Sequence, residues 1–95
     1  MAAYIIADVR VTDPVAYEEY RRQVGATLDA YGGRFLVRGG AAQPLEGDWE
    51  PHRIVVLAFE SLEQARAWYD SPAYRPLRQL RQAASEGRFI LVAGV

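Results

Sequence analysis

Four short runs of alternating apolar residues enclose two amphipathic stretches of helical period. Their order is strand, helix, strand, strand, helix, strand, and it constrains the fold more than any other feature of the chain. With 95 residues the chain is one domain, spanning 1–95, near the lower end of what buries a self-sufficient core.

The first strand is read at Ala3 to Val11. Ile5, Ala7, Val9 and Val11 share one parity; Tyr4, Ile6, Asp8 and Arg10 share the other. Thr12-Asp13-Pro14 ends it, with Asp13 suited to cap a helix and Pro14 to its first position, where no N–H is needed. Tyr17, Tyr20, Val24, Leu28 and Tyr31 then recur at helical spacing, and Gly32-Gly33 stops the helix, one of the two in the left-handed conformation. Arg34 to Arg38 reads as the second strand, with Phe35 and Val37 on one face and Arg34, Leu36 and Arg38 on the other. The loop from Gly39 to His52 is long for a hairpin and carries Glu46 and Trp49, so it is a packed flap or part of a binding surface. Arg53 to Phe59 is apolar on both parities, the pattern of an interior strand. Ser61 and Gln64 form a capping-box signature, and Leu62, Ala65, Trp68 and Tyr69 give the second helix its apolar face. Ser71-Pro72 interrupts it, and a further helical stretch runs to about Ala84, with Tyr74, Leu77, Leu80 and Arg81 at helical spacing. Gly87 is read as the turn into a last strand, Arg88 to Ala93, whose phase the pattern leaves open between Phe89 with Leu91 and Ile90 with Val92.

Two right-handed crossovers joined by a hairpin give an α+β fold, βαββαβ: a four-stranded antiparallel sheet with the helices on one face. The cleaner apolar set belongs under the helices. The other face holds Asp8, Arg10, Arg34 and Arg38, yet also Ile6, Leu36, Ile54 and Val56, too apolar for water. Burying these four aliphatic side chains is worth about 1.5–3 kcal/mol each. A second copy of the same sheet is the economical cover, so Ile6, Leu36, Ile54 and Val56 are the expected homodimer interface.

Composition removes several classes of function. Net charge is −1, which gives no bulk field for nucleic acid or anionic lipid. All eleven basic residues are arginine, spread along the chain: a coding bias or, more pointedly, bidentate recognition of carboxylate or phosphate. The absence of cysteine excludes disulfides, thiolate catalysis and cysteine-ligated zinc. No run approaches a membrane span or a signal peptide's apolar region, so the expectation is a cytoplasmic protein without membrane or nucleic-acid partners.

Candidate site residues are few. Asp8, Arg34 and Arg38 share a parity in this reading. They form a polar patch binding a small anionic or carbonyl compound through Arg38, or an ion pair that fixes register. His52, the only histidine, is a general base, a single haem ligand or an exposed edge residue; alone it makes no metal site, and no cofactor is expected. Tyr17, Tyr20, Tyr31, Trp68, Tyr69 and Tyr74 are core residues with hydroxyls at a rim, against which a ligand would lie. Trp49 is the best lid, with Glu46 the nearest carboxylate. Arg81 is expected to lay its stem along the helix and pair with an acid.

The segment Tyr31-Gly32-Gly33-Arg34-Phe35-Leu36-Val37-Arg38-Gly39-Gly40 resembles the domain-of-unknown-function family 1330. So do Thr12-Asp13-Pro14 with Tyr17 and Tyr20, Leu45-Glu46-Gly47 with Trp49, Arg53 with Val55-Val56, and Ala65 to Tyr69 with Ser71 and Tyr74. The likeness runs nearly end to end. It implies a ferredoxin-like subunit of a dimeric α/β barrel, a superfamily whose members include cofactor-free monooxygenases, isomerases and haem-handling enzymes, so no reaction follows from it. One departure stands out: where the family often has Glu before the phenylalanine ending the third strand, this chain has Ala58.

Two readings of function result. In one, the homodimer binds a small organic molecule in a barrel pocket, with a cofactor-free monooxygenase- or isomerase-like enzyme as the catalytic version of that reading. Arg38, Arg34, Tyr17, Glu46, Trp49 and Trp68 would line the pocket, and Asp8 or His52 would handle protons. In the other, it is a non-catalytic dimerisation module. The lack of a nucleophile–base constellation favours no catalysis.

Overall fold

A computed structural model of the chain describes residues 1–95. The elements are β1 (Ala3–Val11), α1 (Pro14–Asp29), β2 (Arg34–Arg38), β3 (Arg53–Phe59), α2 (Leu62–Tyr69), α3 (Arg75–Ala84) and β4 (Ser85–Ala93). The strands form one antiparallel sheet in the order β2-β3-β1-β4; β3 is interior, as its two-sided apolar pattern predicts, and β1 is interior beside it.

Local signals set the boundaries. The Asp13 carboxylate accepts from the Ala16 amide at 3.1 Å and Pro14 follows it. Gly32, at φ 69°, takes the left-handed position after α1, while the Gly33 amide donates to the Leu28 carbonyl. Ser61 Oγ accepts from the Gln64 amide at 3.1 Å. The reciprocal half of that capping box is not made: Gln64 Oε1 is buried without a partner.

Register assigns the faces. Across the sheet, Leu91, Ile5, Leu57 and Phe35 align in one row, and Phe89, Ala7, Val55 and Arg38 in another. These rows lie under the helices, where Tyr17, Tyr20, Val24, Leu28, Trp68, Tyr74 and Leu77 complete the core. The opposite face carries the row Ile90, Ile6, Val56, Val37. This resolves the phase of β4: Phe89 and Leu91 face the helices, Ile90 and Val92 do not.

Two expectations are corrected here. Gly87 is no turn: α3 passes directly into β4, and Gly87 pairs with Val9 inside the strand. A Cβ on Gly87 would stand 2.8 Å from the Phe89 ring, so the glycine leaves room for that side chain. In β2 the alternation breaks at a bulge. Phe35 pairs with Leu57 but Val37 pairs with Val56, so Leu36 and Val37 both stand against one residue of β3. The extra residue reverses the parity beyond it, moving Val37 to the open face and Arg38 to the helix face. Arg38 therefore does not share a face with Asp8 and Arg34.

Candidate functional site

The residues singled out from the sequence fall into two places on opposite faces of the sheet. On the open face, Asp8 is the fixed point for the β2–β3 loop. Its Oδ2 accepts from Trp49 Nε1 at 2.7 Å and its Oδ1 from the His52 amide at 2.9 Å; His52 Nδ1 lies 3.8 Å from Oδ1. The Asp8 side chain is only 9% exposed. Burial works to raise its pKa, but the Trp49 and His52 hydrogen bonds, with the charges of His52 and Arg88, outweigh it and hold the carboxyl below its ordinary range. Arg88 is the cross-strand neighbour of Asp8. An already ionised carboxylate with its lone pairs engaged is a poor proton acceptor, so Asp8 serves here as an anchor for the loop.

Trp49 leans over a concavity of about 180 Å³ lined by Ile6, Asp8, Arg88 and Ile90. Glu46 and Trp49 border a second, of about 430 Å³, with Pro51 and Ile54. His52 is exposed, the edge position expected of it. Arg34 pairs with Ala58 at the end of the sheet, also exposed. Around them Ile90 is 59% and Leu36 50% exposed, with Val37 and Val92 also open.

The second place is a narrow cleft between the sheet and the helices, with free volume of about 30 Å³. Ala7, Val55 and Phe89 form its floor, Tyr17, Tyr20 and Val24 of α1 its roof, and Trp68 closes it from α2. Arg38 stands at its rim, where Nη2 donates to the Arg21 carbonyl at 2.6 Å and the guanidinium covers the Phe35 ring at 4.2 Å. Arg53 borders it too, its guanidinium packed against Gly39 and 5.6 Å from the Tyr17 ring centre. Gly39, at φ 74°, supplies both the left-handed turn and the space for that side chain.

Arg81 is the residue that the sequence reading misplaced. It is 4% exposed and has no acid partner; no carboxylate lies within salt-bridge distance of it, of Arg53 or of Arg38. Its Nε donates to the Tyr74 hydroxyl at 3.3 Å and its guanidinium lies 3.9 Å from the Phe89 ring centre. Arg81 Nη2 and Arg53 Nε are buried without an acceptor. Tyr74 and Tyr20 share a hydrogen bond of 2.8 Å between hydroxyls, and Tyr74 stacks on Trp68 at 3.9 Å. Burial first, and the neighbouring Tyr74 next, push the Tyr20 phenol far up, so Tyr20 is neutral at ordinary pH. Burial acts against the Arg81 charge, but the Tyr74 and Tyr20 oxygens outweigh it, and its pKa is raised. The signal was present in the sequence: Arg81 sits on the apolar stripe of Tyr74, Leu77 and Ala84, where a merely solvated arginine would not.

The expected ligand-lining set is thus divided. Tyr17, Arg38 and Trp68 meet in the cleft under the helices; Arg34, Glu46 and Trp49 belong to the open side. No three His, Cys, Asp or Glu side chains are grouped to hold a metal ion, and no helix is long and apolar enough to cross a membrane.

The family model described as Domain of unknown function (DUF1330) matches residues 2–95. The chain belongs to this family. Comparison with curated proteins found no match. Among solved structures it is similar to RPA0582, a protein of unknown function from Rhodopseudomonas palustris (21% identity, 99% of this chain and 82% of that one, TM-score 0.80). It is also similar to a dimeric ferredoxin-like protein of unknown function from Thermobifida fusca (20% identity, 99% and 92%, TM-score 0.67). SnoaB, a cofactor-independent oxygenase from Streptomyces nogalater, is a third (14% identity, 99% and 93%, TM-score 0.67). At these identities the likeness shows the fold, which is ferredoxin-like.

Proposed function

We propose that this DUF1330 protein is a homodimer, packed through the open faces of two sheets, that binds a small organic molecule in the cleft under its helices. The cleft carries the binding half: Tyr17, Arg38 and Trp68 converge there with two further guanidinium groups that no carboxylate neutralises. Buried polar groups without partners are costly, and a site that keeps them is a candidate for binding. The dimer half rests on the row Ile90, Ile6, Val56 and Val37 and on the dimeric state named for the Thermobifida protein.

Binding is proposed rather than catalysis. The residues that could handle protons, Asp8 and His52, lie on the other face of the sheet from the cleft. A second reading, a dimerisation module without a ligand, is favoured by the small cleft, whose about 30 Å³ admits a water or two. Native mass spectrometry of the freshly purified protein separates the readings. The expected species is a two-chain mass with a small molecule attached; a ligand-free dimer supports the second reading, and a bare monomer refutes both.

A further inference from the structure

We propose that Arg81 is the charge anchor of the cleft and that the molecule bound there is an organic monocarboxylate. The inference rests on the cleft being the binding site and adds what chemistry it selects. An arginine cannot shed its proton to escape burial, so a guanidinium this deep must find a counter-charge or bear an uncompensated desolvation cost. Within the chain Arg81 finds only the Tyr74 hydroxyl and the face of Phe89. Its Nη2 has no acceptor. The other charged side chains lining the cleft are Arg21, Arg38 and Arg53, all cations. Among the nearest acids, Glu18 is engaged by Arg21 on the outer surface of α1, at 3.0 Å, and Asp8 is held beneath the sheet by Trp49 and His52. Of the four cations only Arg21 has a carboxylate partner, and Glu18 also acts on Arg53 through space; Arg81 has no counter-ion of its own.

The remaining walls choose among anions. Arg38, Arg53, Tyr17 and Tyr20 of the lining would serve any anion, whereas Ala7, Val55, Leu57 and Phe89 suit the apolar body of an organic acid whose two oxygens meet the Arg81 fork, a body that inorganic phosphate lacks. The present volume of about 30 Å³ admits a water or two, so binding requires the cleft to widen. The body enters where Arg38 spans the rim; Arg38 is exposed, held there by one hydrogen bond to the Arg21 carbonyl and by its contact with the Phe35 ring.

The test uses benzoate as the probe, with benzamide as its uncharged isostere and inorganic phosphate as an anion without an apolar body, all at one ionic strength. Binding is read by calorimetry and by the Arg81 Nε–H resonance in a nitrogen–proton spectrum. The expected result is that benzoate binds and moves that resonance, benzamide and phosphate do so at least about tenfold more weakly, and Arg81→Met reduces benzoate affinity by at least the same factor. If Arg81→Met does not fold, the wild-type comparison of the three probes decides alone. Equal binding of benzamide and benzoate overturns the carboxylate assignment while leaving the cleft a binding site. Phosphate binding as tightly as benzoate overturns the organic class. Failure of all three to move the resonance overturns both this inference and the reading on which it rests.

Discussion

The two faces of the sheet solve the burial problem in opposite ways. Under the helices the rows Leu91–Ile5–Leu57–Phe35 and Phe89–Ala7–Val55–Arg38 are covered by the chain itself, and the leftover there is a cation, Arg81, without a counter-ion. On the open face the charge, Asp8, is fully answered by Trp49, His52 and Arg88, and the leftover is apolar surface. One face thus lacks a charge partner and the other lacks a cover. Small size is the common cause, since α1, α2 and α3 cover one side of the sheet and only the β2–β3 loop, through Trp49, reaches over part of the other.

Substitutions can break this contrast, starting where the effect is largest. Trp68→Ala removes a fully buried ring stacked on Tyr74 and should cost about 3–5 kcal/mol. Because Trp68 lies inside one protomer, the loss should be the same at every protein concentration in urea titrations. Ile6→Asp puts a carboxylate at the centre of the open apolar row and should weaken self-association by about 3 kcal/mol or more. If the proposed dimer forms through this face, sedimentation should show the wild type as two chains and Ile6→Asp as one at the same concentration, with the far-ultraviolet spectrum preserved. An unchanged sedimentation profile would mean that the open face is not the dimer contact.

Asp8→Asn should cost about 1–2 kcal/mol at neutral pH, since an amide cannot accept from both Trp49 and His52 without turning its NH₂ on one of them. The pH dependence sharpens the point. Asp8 has its pKa depressed by folding, so its stabilisation is complete above the ordinary value of 3.8 and fades as pH falls through the lower folded value. Between about pH 5 and about pH 2 the wild type should therefore lose more stability than Asp8→Asn. The smallest effect is expected at the exposed Arg10–Glu86 pair on the rim of the open face: Glu86→Gln should leave the unfolding midpoint unchanged within error.

Much of the architecture was legible in the chain. The strand and helix periods, Asp13-Pro14, Ser61 and Gly32 are local signals, and the structure follows each of them. The sites were less so. The reading of Arg38 failed because a bulge adds one residue to β2 against β3, an event of pairing that alternation within β2 cannot register. Arg81 was misread in its partner: its place on the apolar stripe marks burial, but the absence of an acid beside it is set by the helices and strands packed around α3. Trp49 was foreseen as a covering residue, but its partner Asp8, distant in sequence, is brought to it by the sheet.

What the chain determined by itself was periodicity and its punctuation, and from these the βαββαβ order and a second sheet face too apolar to stand in water. Those properties depend on residues a few positions apart, within reach of backbone geometry. Which charges meet, and which are left alone, was decided only by tertiary packing. The fields around Asp8 and Arg81 are made by groups from other strands and helices, and a hydrogen bond exists only once the fold has set its two ends about 3 Å apart.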